Sequence, residues 1–118
     1  MKTLRPQIQD ELVQAFGPRV TFDPMERMFY SHDVGSLPSL IKPLVGNTRP
    51  AGVVQPRSEQ DVVRLAALAR THGVPLVPRG KSTSGYGGVL PVRGGLVVDF
   101  AGMNQITAID PQAMTATV

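Results

Sequence analysis

The sequence contains no cysteine, which excludes disulfides, thiolate catalysis and Cys-ligated zinc or iron–sulfur centres within it. Tryptophan is also absent, and two tyrosines and four phenylalanines are the only aromatic residues. A core must therefore rest on Val, Leu, Ile and Ala, which pack well as layered strands and helices. Charged residues are sparse, at 18%, against roughly a quarter in ordinary soluble domains. The net charge of +3 is spread along the chain without a Lys/Arg run, so it permits an anionic ligand and gives no reason to expect nucleic acid. No apolar run approaches the ~20 residues of a membrane span. The opening Met1-Lys2-Thr3-Leu4-Arg5-Pro6 leads into a polar helical pattern rather than an apolar signal core. A cytoplasmic protein is expected, at most peripheral to a membrane.

Glycine and proline, by contrast, are plentiful, at 12 and 11 of 118 residues. They punctuate periodic segments rather than forming a low-complexity tract, so they read as turns and loops. The length suits one domain or part of one.

Residues 4–16 have the spacing of a short amphipathic helix, with Ile8, Leu12, Ala15 and Phe16 on one side, Thr3 as candidate cap and Gly17-Pro18 as stop. Val20-Thr21-Phe22 reads as a brief strand. Residues 23–48 show no sustained period, and Asp33 to Pro43 reads as a loop draped over a ligand or a neighbouring domain. The pattern then sharpens. Gly52-Val53-Val54-Gln55 is a short strand, Ser58 an N-cap, and Val62, Leu65, Ala66 and Ala69 an apolar helical stripe. His72-Gly73 ends that helix and Pro75-Leu76-Val77-Pro78 forms the next strand. Strand, helix, strand predicts a βαβ unit with parallel strands. Gly95 to Phe100 is a further strand, and residues 105–109 and 113–118 flank Asp110-Pro111-Gln112 as a hairpin. The expected class is α+β, a small mixed sheet with a βαβ crossover preceded by a helical arm.

Between those strands lies Arg79-Gly80-Lys81-Ser82-Thr83-Ser84-Gly85-Tyr86-Gly87-Gly88. Ligands of open α/β sheets sit beyond the carboxyl ends of the strands. Four glycines let a backbone approach a ligand closely and turn its N–H groups inward as an anion nest. Three hydroxyls and two cations add to the affinity for phosphate. The loop is neither a Walker A sequence nor a dinucleotide fingerprint, because the glycine spacing is wrong and a strand rather than a helix follows. By spacing alone, a flexible surface turn remains an open alternative.

Residues 47–118 resemble the start of the FAD-binding domain of the vanillyl-alcohol oxidase and p-cresol methylhydroxylase superfamily, most of all its glycolate oxidase and D-lactate dehydrogenase-type members. The resemblance rests on the order of Arg49-Pro50-Ala51-Gly52-Val53-Val54-Gln55-Pro56, Ser58-Glu59-Gln60-Asp61-Val62, Val77-Pro78-Arg79-Gly80, the Ser/Gly-rich loop, Gly95 to Phe100, Met103-Asn104-Gln105-Ile106 and Ile109-Asp110. Upstream, Tyr30-Ser31-His32-Asp33 resembles the Tyr-x-x-Asp of the hydroxyacid-oxidising members. The resemblance implies that Arg79, Gly80, Lys81, Ser82, Thr83, Ser84, Gly85, Tyr86, Gly87 and Gly88 wrap the FAD diphosphate. Lys81-Ser82 departs from the glycine run common in the family and leaves the backbone less free there. Thr83 stands where covalent relatives carry a flavin-linking His, which implies noncovalent FAD.

The same resemblance divides the chain into a helix and extended arm over 1–46 and a truncated portion of the FAD-binding domain over 47–118. It implies an oxidoreductase for a small 2-hydroxy acid such as D-lactate or glycolate, with an electron-acceptor protein or an iron–sulfur subunit or domain as partner. It also implies that this chain alone is inactive and supplies no catalytic or metal-binding residue. The rival expectations are a non-catalytic remnant or nucleotide- or anion-binding module, and a phosphate-binding αβ module unrelated to flavin. Among single residues, His32 with Asp33 reads as a loop contact rather than a metal site, His72 as a helix-end residue, and Tyr30 and Asp33 as local packing ahead of flavin contact. Asp99 is equally a turn cap or a cofactor contact, Arg79 a residue placing the loop, and Met25, Met28, Met103 and Met114 fillers of the core.

Overall fold

In the computed structural model, residues 3–35, 43 and 46–118 are described. Helix α1 spans Pro6–Phe16, with Pro6 at its first position and Arg5 as N-cap without a side-chain bond. Thr3 therefore does not cap it; proline, whose φ is already helical and whose missing N–H costs nothing there, starts the helix instead. Ile8, Leu12 and Phe16 recur every four residues and are buried, and Gly17, at φ +56°, ends the helix.

A 3-10 turn over Gly17–Arg19 and strand β1, Val20–Thr21, follow. A helix that the periodicity does not reveal, α2, spans Pro24–Phe29. Asp23 caps it by accepting from the Met25 and Glu26 N–H groups at 2.8 and 3.0 Å. The signal was Asp-Pro, cap and first position, rather than an apolar stripe, which six residues are too few to display. The irregular stretch expected from Asp33 to Pro43 falls mostly outside the described residues.

Strand β2 is Gly52–Val54, α3 is Glu59–His72, β3 is Leu76–Arg79 and β4 is Leu96–Asp99. The Ser58 hydroxyl accepts from the Asp61 N–H, and Gly73 closes α3 in the left-handed conformation. The sheet order is β1-β2-β4-β3; β2 and β3 both run parallel to β4, and β1 is antiparallel to β2. The two strands of the crossover are parallel as expected, but β4 lies between them. Side-chain chemistry explains the order. All four residues of β4 are buried, which suits a central strand covered on both faces. Strand β3 carries Pro78, which has no N–H for a second neighbour and belongs at an edge.

One core joins α1, the sheet and α3: Leu4, Ile8, Leu12 and Phe16 pack with Val54, Leu65, Ala69, Leu96 and Val98. The helical arm is thus part of the same packed unit as the sheet. After a 3-10 turn at Phe100–Gly102, strands β5, Ala108–Asp110, and β6, Thr115–Thr117, form an antiparallel hairpin. Its turn is held by the Asp110 carboxylate, which accepts from the Gln112 and Ala113 N–H groups. Every residue of the hairpin is exposed. Met25, Met28, Met103 and Met114 are exposed as well, so the expectation that they fill the core is corrected. They sit on α2, too short to bury both faces, and on the segment that includes the hairpin. No helix among the described residues is long and apolar enough to cross a membrane.

The link from α3 back to the 3-10 turn before β1 is ionic. The Arg19 guanidinium binds the Asp61 carboxylate, which also accepts from the Arg57 N–H at 2.9 Å. Arg19 first, and that backbone bond second, hold the Asp61 carboxyl below its ordinary pKa. A depressed folded-state pKa contributes stability above the unfolded value, near 3.9, and the contribution is lost as pH falls through the folded value. Asp61→Asn should therefore reduce the fall in melting temperature between pH 7 and pH 3. Scanning calorimetry at low salt, where the half-buried pair is least screened, checks it; an unchanged fall refutes the assignment.

Candidate functional site

Because β2, β4 and β3 are parallel, their carboxyl ends lie side by side, and each ends in a polar residue: Gln55 directly after β2, Asp99 closing β4 and Arg79 closing β3. Asp99 is 6% exposed, yet its lone pairs are used. Its Oδ1 accepts from the Ala101 N–H at 2.9 Å, capping the turn as one reading of the sequence held. Its Oδ2 accepts from the Tyr30 hydroxyl at 2.8 Å and from the Gln55 amide at 3.2 Å. Tyr30 is delivered by the end of α2. Burial first, and the Asp99 carboxylate second, push its hydroxyl above the ordinary tyrosine pKa, so it stays protonated and donating.

Arg79 is engaged within the chain. Its guanidinium lies 5.2 Å from the Tyr30 ring centroid. It donates to the His32 carbonyl at 2.9 Å and to the Ser82 hydroxyl at 2.8 Å, with a longer contact of 3.5 Å to the Tyr30 carbonyl. Arginine, with a planar fork of donors, holds three acceptors at once. It ties the arm around Tyr30 to the base of the glycine-rich loop. His32 contributes only its carbonyl there. His72, the last residue of α3, places Nε2 2.9 Å from Glu11 Oε2 on α1 and does not line the cavity at these strand ends.

Above the strand ends opens a cavity of about 650 Å³, lined by residues that include Tyr30, Gln55, Arg79, Gly80, Lys81, Ser82 and Asp99. Its size falls in the ordinary range for ligand pockets. Four residues of the sequence-predicted site, Arg79 to Ser82, line it, whereas Thr83, Ser84, Gly85, Tyr86, Gly87 and Gly88 do not. The Tyr86 ring is fully exposed. Pro18, Glu26 and Phe29 also face the cavity. Sequence reading missed them and the pairing of Gln55 and Tyr30 with Asp99; the Asp23-Pro24 helix start was the one available signal.

The loop itself is neither an extended ribbon nor buried. Ser82 takes a left-handed φ of +49° and Gly87 one of +78°. The Tyr86 N–H bonds to the Ser84 hydroxyl, and the Gly87 N–H to Asp33. The N–H groups of Lys81, Thr83, Gly85 and Gly88 meet no acceptor among the described residues. A Cβ on Gly80 or Gly88 would meet nothing within 4 Å. Packing against the described residues therefore does not explain glycine at either position, while close approach of a ligand would. Open amides, an exposed Lys81 and hydroxyls at Ser82, Thr83 and Ser84 suit a pyrophosphate. Two carboxylates line the cavity, Glu26 and Asp99, the latter hydrogen-bonded by Tyr30, Gln55 and the Ala101 N–H. The residues present thus fit the diphosphate of a dinucleotide.

A family model described as an FAD binding domain matches residues 50–118. The chain is 37% identical over 113 residues to the glycolate oxidase subunit GlcD of Bacillus subtilis, covering 94% of this chain and 22% of that protein. It is 27% identical over 117 residues to the mitochondrial D-lactate dehydrogenase [cytochrome] of Arabidopsis thaliana, covering 99% of this chain and 20% of the relative. The chain spans about a fifth of the length of these curated relatives. Among solved structures, alkyldihydroxyacetonephosphate synthase superposes with a TM-score of 0.79 at 29% identity, over 97% of this chain and 24% of the other. Substrate-bound p-cresol methylhydroxylase superposes at 0.71 and 20% identity, over 92% of this chain and 21% of the other, and shows the fold alone. The α+β architecture is that of the p-cresol methylhydroxylase-type flavoproteins, FAD is the cofactor, and the chain belongs to the FAD binding domain family.

Proposed function

We propose that this chain is the diphosphate-gripping segment of an FAD-dependent oxidoreductase acting on a small 2-hydroxy acid. One observation carries the reading: among the described residues, the loop at the carboxyl ends of parallel strands keeps amide donors without acceptors beside Lys81, with free space where Gly80 and Gly88 lack side chains. The unbonded amides and the hydroxyls between Gly80 and Gly88 would hold the diphosphate, with Lys81 offsetting its charge. Arg79, already shared among His32, Tyr30 and Ser82, places the loop rather than binding the anion directly. Bound FAD supplies the hydride-accepting chemistry. The substrate class rests on the names of the relatives, a glycolate oxidase subunit and a D-lactate dehydrogenase. An electron-acceptor protein, or an iron–sulfur subunit or domain, would take the electrons onward. No described residue acts as catalytic acid or base in this reading, so the chain by itself binds and orients.

Titration of the purified chain with FAD, followed by flavin fluorescence, tests it. Saturable binding is expected, with FAD bound better than ATP or a sugar phosphate. Acid precipitation should leave all flavin in the supernatant, because Thr83 offers no ring nitrogen for a flavin bond. A flat titration favours a non-catalytic remnant, and tighter ATP binding favours a phosphate module unrelated to flavin. Flavin that stays with the pellet contradicts the noncovalent assignment.

A further inference from the structure

The glycine-rich loop is held from outside by a residue of the arm. The carboxylate of Asp33 accepts from the Gly35 N–H through Oδ1 and from the Gly87 N–H through Oδ2, both at 2.9 Å. Fifty-four residues separate Asp33 from Gly87, so the second bond is tertiary. It is also charge-assisted, of the kind that is shorter and stronger than a neutral pair. Two further contacts bind the same pieces of chain. Arg79, at the loop's start, donates to the His32 carbonyl. Gly35 lies so close to the loop that a Cβ there would sit 2.8 Å from the Gly85 Cα. The arm from Tyr30 to Gly35 therefore touches the loop at its first residue, at Gly85 and at Gly87. Between these points lie Lys81 and Thr83, whose amides meet no acceptor among the described residues.

We infer that Asp33 is the positioning residue of the diphosphate loop. It fixes Gly87 in its left-handed conformation and so presets the curve between Arg79 and Gly87 before any anion arrives. An untethered glycine-rich loop would lose more backbone entropy on binding, since glycine has the most conformations to give up. Asp33 does this without touching the anion: its two oxygens are taken by Gly35 and Gly87. The inference rests on the FAD reading above and deepens it, by naming the residue that preorganises the site.

The test is an NMR hydrogen-exchange measurement on the full chain without ligand, paired with FAD titration of the same samples. In Asp33→Ala, the Gly87 amide should exchange on the order of tenfold faster, and the FAD dissociation constant should rise by about as much, the scale of one charge-assisted bond. Amides of Val53 and Val97 in the sheet should keep their protection; a residue needed only for folding would lose protection there too. Asp33→Asn preserves shape and one acceptor but turns an NH₂ group toward one of the two amides. It guards against a variant that fails to fold, and should also speed Gly87 exchange, by less. If wild type binds FAD and both variants keep Gly87 protection and affinity, the role of Asp33 is overturned while the function stands. If wild type does not bind FAD, the proposed function falls and this inference falls with it.

Discussion

Gly95→Ala is expected to abolish cooperative folding of the chain. Gly95 has φ +85°, and a Cβ there would lie 2.9 Å from the Pro75 carbonyl carbon, with the carbonyl oxygen nearer still. That carbonyl accepts from the Leu96 N–H at 2.9 Å, while the Gly95 carbonyl accepts from the Ala51 N–H at 2.7 Å. Strands β2, β4 and β3 all start from this point, so moving the backbone to admit a methyl group disturbs both parallel pairings at once. The left-handed conformation alone costs a non-glycine residue about 1–2 kcal/mol. The backbone clash adds to it, against a total stability of roughly 5–15 kcal/mol for a native protein. Gly73→Ala is the control: φ is +63° and a Cβ would meet nothing within 4 Å, so only the conformational part remains. Thermal unfolding followed by circular dichroism should show a lowered but cooperative transition for Gly73→Ala and none for Gly95→Ala. Equal midpoints for the two would show that the Pro75 contact does not matter.

Reversing the charge of the cavity's exposed lysine should have the largest effect on ligand binding. Lys81 is exposed, lines the cavity and has no ion-pair partner among the described residues. Lys81→Glu should therefore leave the melting temperature of the unliganded chain nearly unchanged. Its carboxylate would oppose a diphosphate near the cavity mouth, where opposed unit charges differ by about 1–4 kcal/mol depending on solvent exposure. A rise in the FAD dissociation constant of roughly fivefold to several hundredfold follows. Lys81→Gln, which removes charge without reversing it, should fall between. Raising ionic strength should narrow the gap between wild type and Lys81→Glu, because exposed charges are screened beyond a Debye length of about 10 Å at 0.1 M. Isothermal titration at low and high salt measures both. A Lys81→Glu chain that binds FAD as well as wild type would remove lysine from the site.

The order of elements was readable because each had its own local cause. Ser58 and Gly73 bracket α3 by hydrogen-bonding chemistry that any helix of that sequence would use. The Asp110 turn makes the hairpin for the same kind of reason. The Arg79 to Gly88 loop stood out through its glycine and hydroxyl content alone. The short helix α2 escaped because six residues hold less than two turns, too few for a stripe, and α2 is what brings Tyr30 to the strand ends. The methionines were misplaced because hydrophobicity speaks for burial only where an opposing surface exists.

The sequence by itself determined most of the segments that become helix, strand or turn, and which loop is rich in glycine and hydroxyls, since backbone propensity, capping and glycine freedom act within a few residues. Only the tertiary structure decided that β4 lies between β2 and β3, that Gln55, Tyr30, Arg79 and Asp99 meet above their ends, and that Asp33 reaches the Gly87 amide. Those pairings join residues 20 to 69 positions apart. They follow from burying β4 on both faces and from satisfying buried polar groups, and both depend on the whole packed chain.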